Sequence, residues 1–466
     1  MTLIKSLLLG SAATLVVVAG AQAADLPTKK GAPVAQYVKI CNIGGVAGFV
    51  IPGSDTCLKI SGTNYAMAEA GNLSQQYLWN GVVLGKDESS IVRGANTNTR
   101  DDIGWYDRFN LAFDAANNTA YGVLSAHIDI NFNIGSGFNS PGGYGNNVNH
   151  AYIQWAGFTA GVHNSYFSFF GGGEGWEDTM SADRQGFDQP NLFAYTATFG
   201  GGFSATVSIE DRTSTAWGAA SGPWYNGSTA EIAGNSLDLG QRAPDIVGAI
   251  DLVQGWGGAH LAVVAHNVNL QDQSSNANTL DTWGWAIDGG VKVNLPSIGA
   301  GDNIQVQGSW SENAIWYSGV LDSMNGELGQ QVNGNGLEAP YADAYSNGLG
   351  TWATPTAWSI EAIGEFHFSP TFFIGPEIAY GQVNWSNNGF GVISSSISAW
   401  QGGAVFHWDP VQHLDFALEL LYQDTHQSVP TAFVAGTAAT CAAGGICPWK
   451  GDSQGGVARL MVTRDF

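Results

Sequence analysis

One dense group of ionisable side chains in this 466-residue sequence follows a glycine triplet. After Gly171-Gly172-Gly173 come Glu174, Glu177, Asp178, Asp183, Arg184 and Asp188. Carboxylates this concentrated select cations if they border a narrow aqueous passage, and otherwise only keep a loop solvated. Patterns that would support covalent catalysis are weaker. Gly451-Asp452-Ser453-Gln454-Gly455 has the G-x-S-x-G spacing, but a nucleophile elbow needs a strand before it and a helix after it. Here a cysteine-bearing loop precedes and an alternating segment follows. His407 and His413 flank Asp409-Pro410, yet neither a cysteine nor a third histidine joins them as a metal ligand. No glycine-rich phosphate-binding string occurs. No cofactor is expected; calcium held between loop carboxylates would lack the spacing of an EF-hand.

The composition narrows the class further. Asp and Glu number 39 against 16 Lys and Arg, a net charge of -23, which excludes a general nucleic-acid binder. Charged residues are only 12% of the chain, aromatics another 12%, and glycine fills 64 positions. A surface so poor in charge is costly in water and expected in lipid. Lys5, the apolar run Leu7 to Gly20 and the small residues of Ala21-Gln22-Ala23 form a secretory signal over residues 1–23. Export places Cys41, Cys57, Cys441 and Cys447 in an oxidising compartment, where the two local pairs become disulfides. No later stretch has the length of an apolar spanning helix.

Period-two alternation is the dominant pattern. Leu124, Ala126, Ile128, Ile130 and Phe132 share one face, and Ser125, His127, Asp129, Asn131 and Asn133 the other. Sixteen such segments lie near 58–69, 104–115, 119–134, 147–157, 158–166, 191–200, 202–212, 243–254, 258–269, 280–295, 302–316, 356–368, 372–386, 396–409, 412–425 and 456–466. Tight connections at Asn117-Asn118, Gly157, Gly200 to Gly202, Gly255 to Gly258, Pro296 to Gly301, Ser369-Pro370 and Asp409-Pro410 alternate with long polar ones. Short turns at one end and long loops at the other predict an all-β, sixteen-stranded antiparallel transmembrane barrel over 58–466. Its apolar faces meet lipid, and its polar faces line a wet lumen. Trp155, Trp310, Trp385, Trp400, Trp408 and Tyr422 suit interfacial girdles.

The residues also resemble a known family. CNIGGVAGFVIPGSDTCLKISG (Cys41 to Gly62), HAYIQWAGFTAG (His150 to Gly161), AYTATFGGGFSATVSIED (Ala194 to Asp211) and APDIVGAIDLVQGWGGAHL (Ala243 to Leu261) carry the likeness. So do GVKVNLPSIGAGD (Gly290 to Asp302) and the terminal Phe466. Together they are similar to the general porins of the alphaproteobacterial (Rhizobiales-type) outer membrane. The resemblance implies a homotrimer, a third loop folded inward over about 167–190, and a C-terminal Phe466 read by the barrel-assembly machinery. It implies lipid and lipopolysaccharide as surroundings, and small hydrophilic solutes and ions as cargo. Two positions depart from the family: Val162-His163 follows Gly161, and Ser125 follows Leu124, where arginines are usual.

Alternation sends Lys59, Arg108, Lys292 and Arg459 to the polar face, together with Glu69, Asp129, Asp288, Glu361, Glu365, Glu377, Asp415 and Glu419. Acids outnumber bases there, so weak cation preference is expected of the wall. The alternatives are a sugar-selective channel, with Phe167, Phe169, Phe170 and Trp176 stacking on substrate, and a non-conducting adhesin or structural barrel. Residues 24–57 would form a compact periplasmic piece ahead of the first strand.

Overall fold

A computed structural model describes residues 38–71, 76–79, 82–85, 103–137, 144–169, 189–211, 236–238, 242–272, 278–319, 343–346, 349–391, 395–428 and 452–466. Sixteen of its strands close into one antiparallel ring. They are β1 (Cys57–Gly71), β2 (Ile103–Thr119), β3 (Gly122–Gly137), β4 (Tyr144–Trp155), β5 (Phe158–Val162), β6 (Asn191–Gly200), β7 (Phe203–Glu210) and β8 (Asp245–Gln254). The ring continues with β9 (Gly257–Asp272), β10 (Thr279–Asn294), β11 (Asn303–Glu312), β12 (Pro355–Ser369), β13 (Phe372–Trp385), β14 (Ser396–Val411), β15 (Leu414–Gln427) and β16 (Asp452–Asp465). Each strand pairs with its sequence neighbours, and β16 pairs with β1 from Val457↔Gly71 to Asp465↔Thr63. Closure leaves the sixteen-strand ring itself without an edge among the described residues, the condition for a strand protein to live in lipid.

The alternation is met residue by residue. Ile103, Trp105, Phe109, Ile128 and Phe132 are exposed on the outside, and Asp129, Asn131, Gln307, Glu361 and Gln401 are buried on the inside. Outward aromatics pair across strands in two belts. Trp285 with Trp310, Trp358 with Tyr380 and Trp400 with Tyr422 lie toward the long-loop end. Tyr121 with Trp155, Phe158 with Tyr195 and Trp408 with Phe416 lie toward the short turns. Such amphipathic rings belong at the headgroup level of a bilayer. Trp385 is a correction to the girdle assignment: it is 5% exposed and shares the inward face of Glu377, Ala379 and Val383. The other five face outward.

Two turns also fall later than expected. Asn117-Asn118 stays in β2, and the chain reverses at Ala120-Tyr121, where Thr119 Oγ1 accepts from Tyr121 N–H and donates to Gly122 O. Asn117 is instead a strand residue whose amide donates to Asp55 and Thr56. Asp409-Pro410 lies in an irregularity of β14, because the proline cannot donate to the ladder. The reversal there comes at Gln412-His413, with His413 at φ 65°.

Two predicted strands are shorter than the sequence pattern. β5 stops at Val162 rather than 166, and β11 stops at Glu312 rather than 316. At both places the chain leaves the wall and turns into the barrel. Ahead of β1, strands Ile40–Ile43 and Val46–Val50 form a hairpin, and Phe49 and Val50 pair with Leu58 and Cys57. The Cys41–Cys57 disulfide spans it, with the two Cα atoms 5.8 Å apart. This part of 24–57 therefore adds to the same sheet. No helix among the described residues is long and apolar enough to cross a membrane.

Candidate functional site

The interior is built from the inward faces of all sixteen strands, and every wall residue expected from alternation lies there. Their environments differ. Arg459 is 1% exposed, with Nε 2.7 Å from Glu69 Oε2 and Nη1 2.9 Å from Glu419 Oε2. One guanidinium thus serves two carboxylates across β16, β1 and β15. Arg108 lies against two aromatic faces, 5.3 Å from the Tyr65 ring centroid and 5.5 Å from that of Tyr106. It also donates to Asn133 Oδ1 at 2.9 Å and to the Tyr106 hydroxyl at 2.9 Å. Lys59 is exposed on the inward face, in register with Asp114. Lys292 is half-buried, opposite Gln305 on β11.

The acids are less uniformly bare than their number suggests. Asp288 accepts from Gln307 at 3.1 Å, and Glu365 accepts from Asn303 at 2.8 Å. Glu361 and Glu377 are buried on adjoining strands. Asp415 lies 2.9 Å from His407 Nδ1. This last contact belongs to a set that strand-by-strand reading missed. Asp114 with His127, Asp251 with His260, Asp245 with His266 and Asp302 with His367 are also acid–imidazole pairs. Each joins neighbouring strands or a strand and its turn. The signal was present as a histidine on each polar face, but only register says which acid it meets.

Beyond β5 the chain folds onto the inside of the wall formed by β7 to β10. Ser165 Oγ donates to Glu210 Oε2 at 2.5 Å, and Tyr166 N–H donates to Glu210 Oε1 at 3.1 Å. Phe167 is fully buried against inward-facing Val247, Ala249, Ala262, Val264 and Ala286 of β8, β9 and β10. Its carbonyl lies 3.0 Å from His260 Nε2, and the next aromatic, Phe169, stacks on that imidazole with centroids 5.4 Å apart. Gly290 makes room for this ring, since a Cβ there would stand 2.5 Å from Phe169 Cδ1. Phe167 and Phe169 are thus loop anchors.

A second loop enters beside the first, which the sequence pattern did not reveal. After Asn313, at φ 52°, a 3-10 turn (Ile315–Ser318) lies against β11 and β12. Ser318 O accepts from the hydroxyls of Ser309 and Ser359. Tyr317 OH donates to Asp245 Oδ2 at 2.5 Å, and its ring meets Phe167 edge-on at 4.9 Å between centroids. Asp343 accepts from Ile315 N–H at 2.9 Å and lies 3.1 Å from His266 Nε2. Two loops therefore share one apolar cluster on the inner wall, and both narrow the interior.

His163 opens the first of these loops. Burial pushes its imidazole below the ordinary histidine range, against the opposing effect of its hydrogen bond to Asn164 O. Val162-His163, where the resemblance implies an arginine, therefore carries no fixed positive charge at pH 7. Glu174, Glu177, Asp178, Asp183, Arg184 and Asp188 lie outside the described residues, as do Cys441, Cys447 and Trp176. Phe466 is described: its N–H donates to Gly62 O and its carbonyl accepts from Gly62 N–H, continuing the β16–β1 ladder to the last residue.

Comparison with known proteins agrees with this architecture. A family model described as a porin subfamily matches residues 25–443. Porin Omp2b of Brucella suis is 30% identical over 349 residues, covering 67% of this chain and 86% of the relative. Omp2b of Brucella abortus (strain 2308) matches to the same extent. Among solved structures, the outer membrane channel DcaP of Acinetobacter baumannii superposes with a TM-score of 0.58 at 13% identity, covering 90% of this chain and 99% of that one. At that identity the likeness concerns the fold.

Proposed function

Because this chain belongs to the porin subfamily, an outer-membrane β-barrel family, we propose that it is a passive diffusion channel preferring cations. Small hydrophilic solutes and ions are the cargo, and no step of covalent chemistry is required of the protein. The observation that carries this reading is the inward packing of Ser165 to Phe169 on β7–β10. It supports loop three crossing the lumen, with Glu174, Glu177, Asp178, Asp183, Arg184 and Asp188 at the constriction. In a passage narrower than the screening length, about 8 Å at physiological salt, wall charge reaches the permeating ion. Arg459 is offset by two carboxylates and His163 is neutral, so two basic positions add little positive field.

Residues 1–23 are proposed to be removed as a signal peptide. The mature barrel is proposed to assemble as a homotrimer in contact with lipopolysaccharide, with Phe466 as the residue recognised by the barrel-assembly machinery. Purified protein in a planar bilayer separating unequal potassium chloride solutions tests the selectivity. A reversal potential of cation-favouring sign supports it, and an anion-favouring sign overturns it. A sugar-selective channel is the second reading. The anchoring of Phe167 and Phe169 against the wall favours the general pore, since both rings are already occupied by protein. Saturable block by oligosaccharides would reverse that preference.

A further inference from the structure

His127, Asp129 and His150 face one another on the inner wall of β3 and β4. Each offers a ligand atom within 4.8 Å of the other two, the one such group of three among the described residues. His127 Nε2 lies 3.9 Å from Asp129 Oδ2, and His150 Nδ1 lies 3.1 Å from Asp129 Oδ1. Donors about 2.0–2.2 Å from a tetrahedral zinc ion stand roughly 3.4 Å apart, so an ion would need shifts of only about an ångström.

The far nitrogens decide which atoms are available. Asp114 Oδ1 lies 2.7 Å from His127 Nδ1. A carboxylate only accepts, so Nδ1 carries a proton and Nε2 is the nitrogen turned toward Asp129. Asn164 Oδ1 lies 2.7 Å from His150 Nε2 and also accepts from Gln189 at 3.5 Å. Nε2 donates to that amide oxygen, and Nδ1 faces both Asp129 oxygens, where a metal ion would take the place of a proton between nitrogen and carboxylate. Two imidazole nitrogens and a carboxylate converge, each imidazole oriented from behind by an oxygen acceptor. This is the outer-shell arrangement of protein metal sites. Asn149 Nδ2, 3.0 Å from His150 Nδ1 and 3.3 Å from Asp129 Oδ2, occupies the space in the metal-free chain and would swing aside. Asp129 also accepts from His150 N–H at 2.6 Å and from Asn110 at 3.5 Å.

His266, also on the wall, has its carboxylates on opposite sides of the ring, Asp245 at Nδ1 and Asp343 at Nε2, so the two acids do not converge on one of its nitrogens. The His127 group, by contrast, is partly open, with side chains 19%, 12% and 19% exposed. Ions in transit can reach it.

We propose that His127, Asp129 and His150 form a binding site for a borderline divalent transition metal, with zinc as the reference ion and water completing the coordination. Calcium and magnesium are disfavoured, because they take oxygen ligands. Since His150 is tied through Asn164 to the start of the inward loop, occupancy places positive charge beside the root of the constriction and lowers cation conductance.

Equilibrium dialysis of the purified full-length protein against Zn²⁺, with bound metal counted, tests this. One saturable ion per chain is expected. The His127→Gln/His150→Gln variant should lose it. Asp114→Asn, which touches His127 but not the ion, should weaken it about 10–100-fold. Absence of saturable binding, or equal affinity in the double variant, overturns the proposal. Should the double variant fail to fold, Co²⁺ added to the unaltered protein gives a second reading. Intense visible bands of tetrahedral cobalt with nitrogen ligands support the site, and the weak spectrum of hexaaquo cobalt refutes it.

Discussion

Arg459 Nε lies 2.7 Å from Glu69 Oε2, although 390 residues separate them along the chain. The pair joins the last strand of the barrel to the first, and both side chains are buried. Removing the cation leaves two carboxylates, Glu69 and Glu419, without their shared partner. Loss of one member of a buried pair typically costs about 3–5 kcal/mol. Arg459→Met is therefore expected to unfold at markedly lower denaturant than the unaltered chain. Adding Glu69→Gln and Glu419→Gln should recover much of the difference. Equilibrium unfolding in detergent measures both, and an unchanged midpoint in Arg459→Met would contradict the seam's dependence on this contact.

The same seam has no room at Gly62. A Cβ there would stand 2.4 Å from Asn110 O and 2.6 Å from Phe466 Cζ. Gly62→Ala should destabilise the closed barrel by about 1–3 kcal/mol, the usual cost of overpacking. Heat-dependent migration on gels reads the loss directly, and Gly255→Ala, with open space around it, is the control.

Phe167 anchors the first inward loop and touches Tyr317 of the second. Phe167→Ala should cost about 3–5 kcal/mol of local packing, as for other buried aromatics. Because both loops lose a shared neighbour, single-channel conductance should rise and become noisier. Conductance equal to that of the unaltered channel would mean the loops stay in place without this ring.

Selectivity gives a sharper contrast. Asp415 and Glu419 face a histidine and an arginine, so their field in the lumen is already offset. Glu177→Gln with Asp178→Asn should lower the cation-to-anion permeability ratio more than Asp415→Asn with Glu419→Gln. Equal changes in reversal potential would argue against the inward-folded loop carrying the constriction charges.

The cysteines make a prediction at the N-terminal hairpin. Cys41–Cys57 closes a separation of 16 residues, a loop for which cross-linking contributes about 3 kcal/mol. Reduction should expose residues 38–56 to protease while the barrel stays intact. Alkylation of the unreduced protein should find no free thiol at Cys441 or Cys447.

The wall was legible in the sequence because a strand has only two faces. Once Ile60 faces lipid, Lys59 and Ser61 must face inward, and no tertiary detail alters that. The turns were less legible. Asn117-Asn118 is a strong local turn signal, yet both residues stay in the β2–β3 ladder opposite Leu124 and Val123, and the Asn117 amide bonds Asp55 and Thr56. Trp385 deceived for a similar reason: an aromatic near a strand end suits a girdle, but its odd-numbered place on β13 turns it inward.

What the sequence determined by itself was the sixteen-strand ring, the division of its faces, and the excess of inward acid. These follow from periodicity, which is local. Partnership is not local. That one arginine holds Glu69 and Glu419, that a loop after β11 joins the loop after β5 around Phe167, and that His127, Asp129 and His150 share a point in space depend on strand register. Register is set by how the whole sheet closes, so only the tertiary structure could decide which charges remain open to the passing ion.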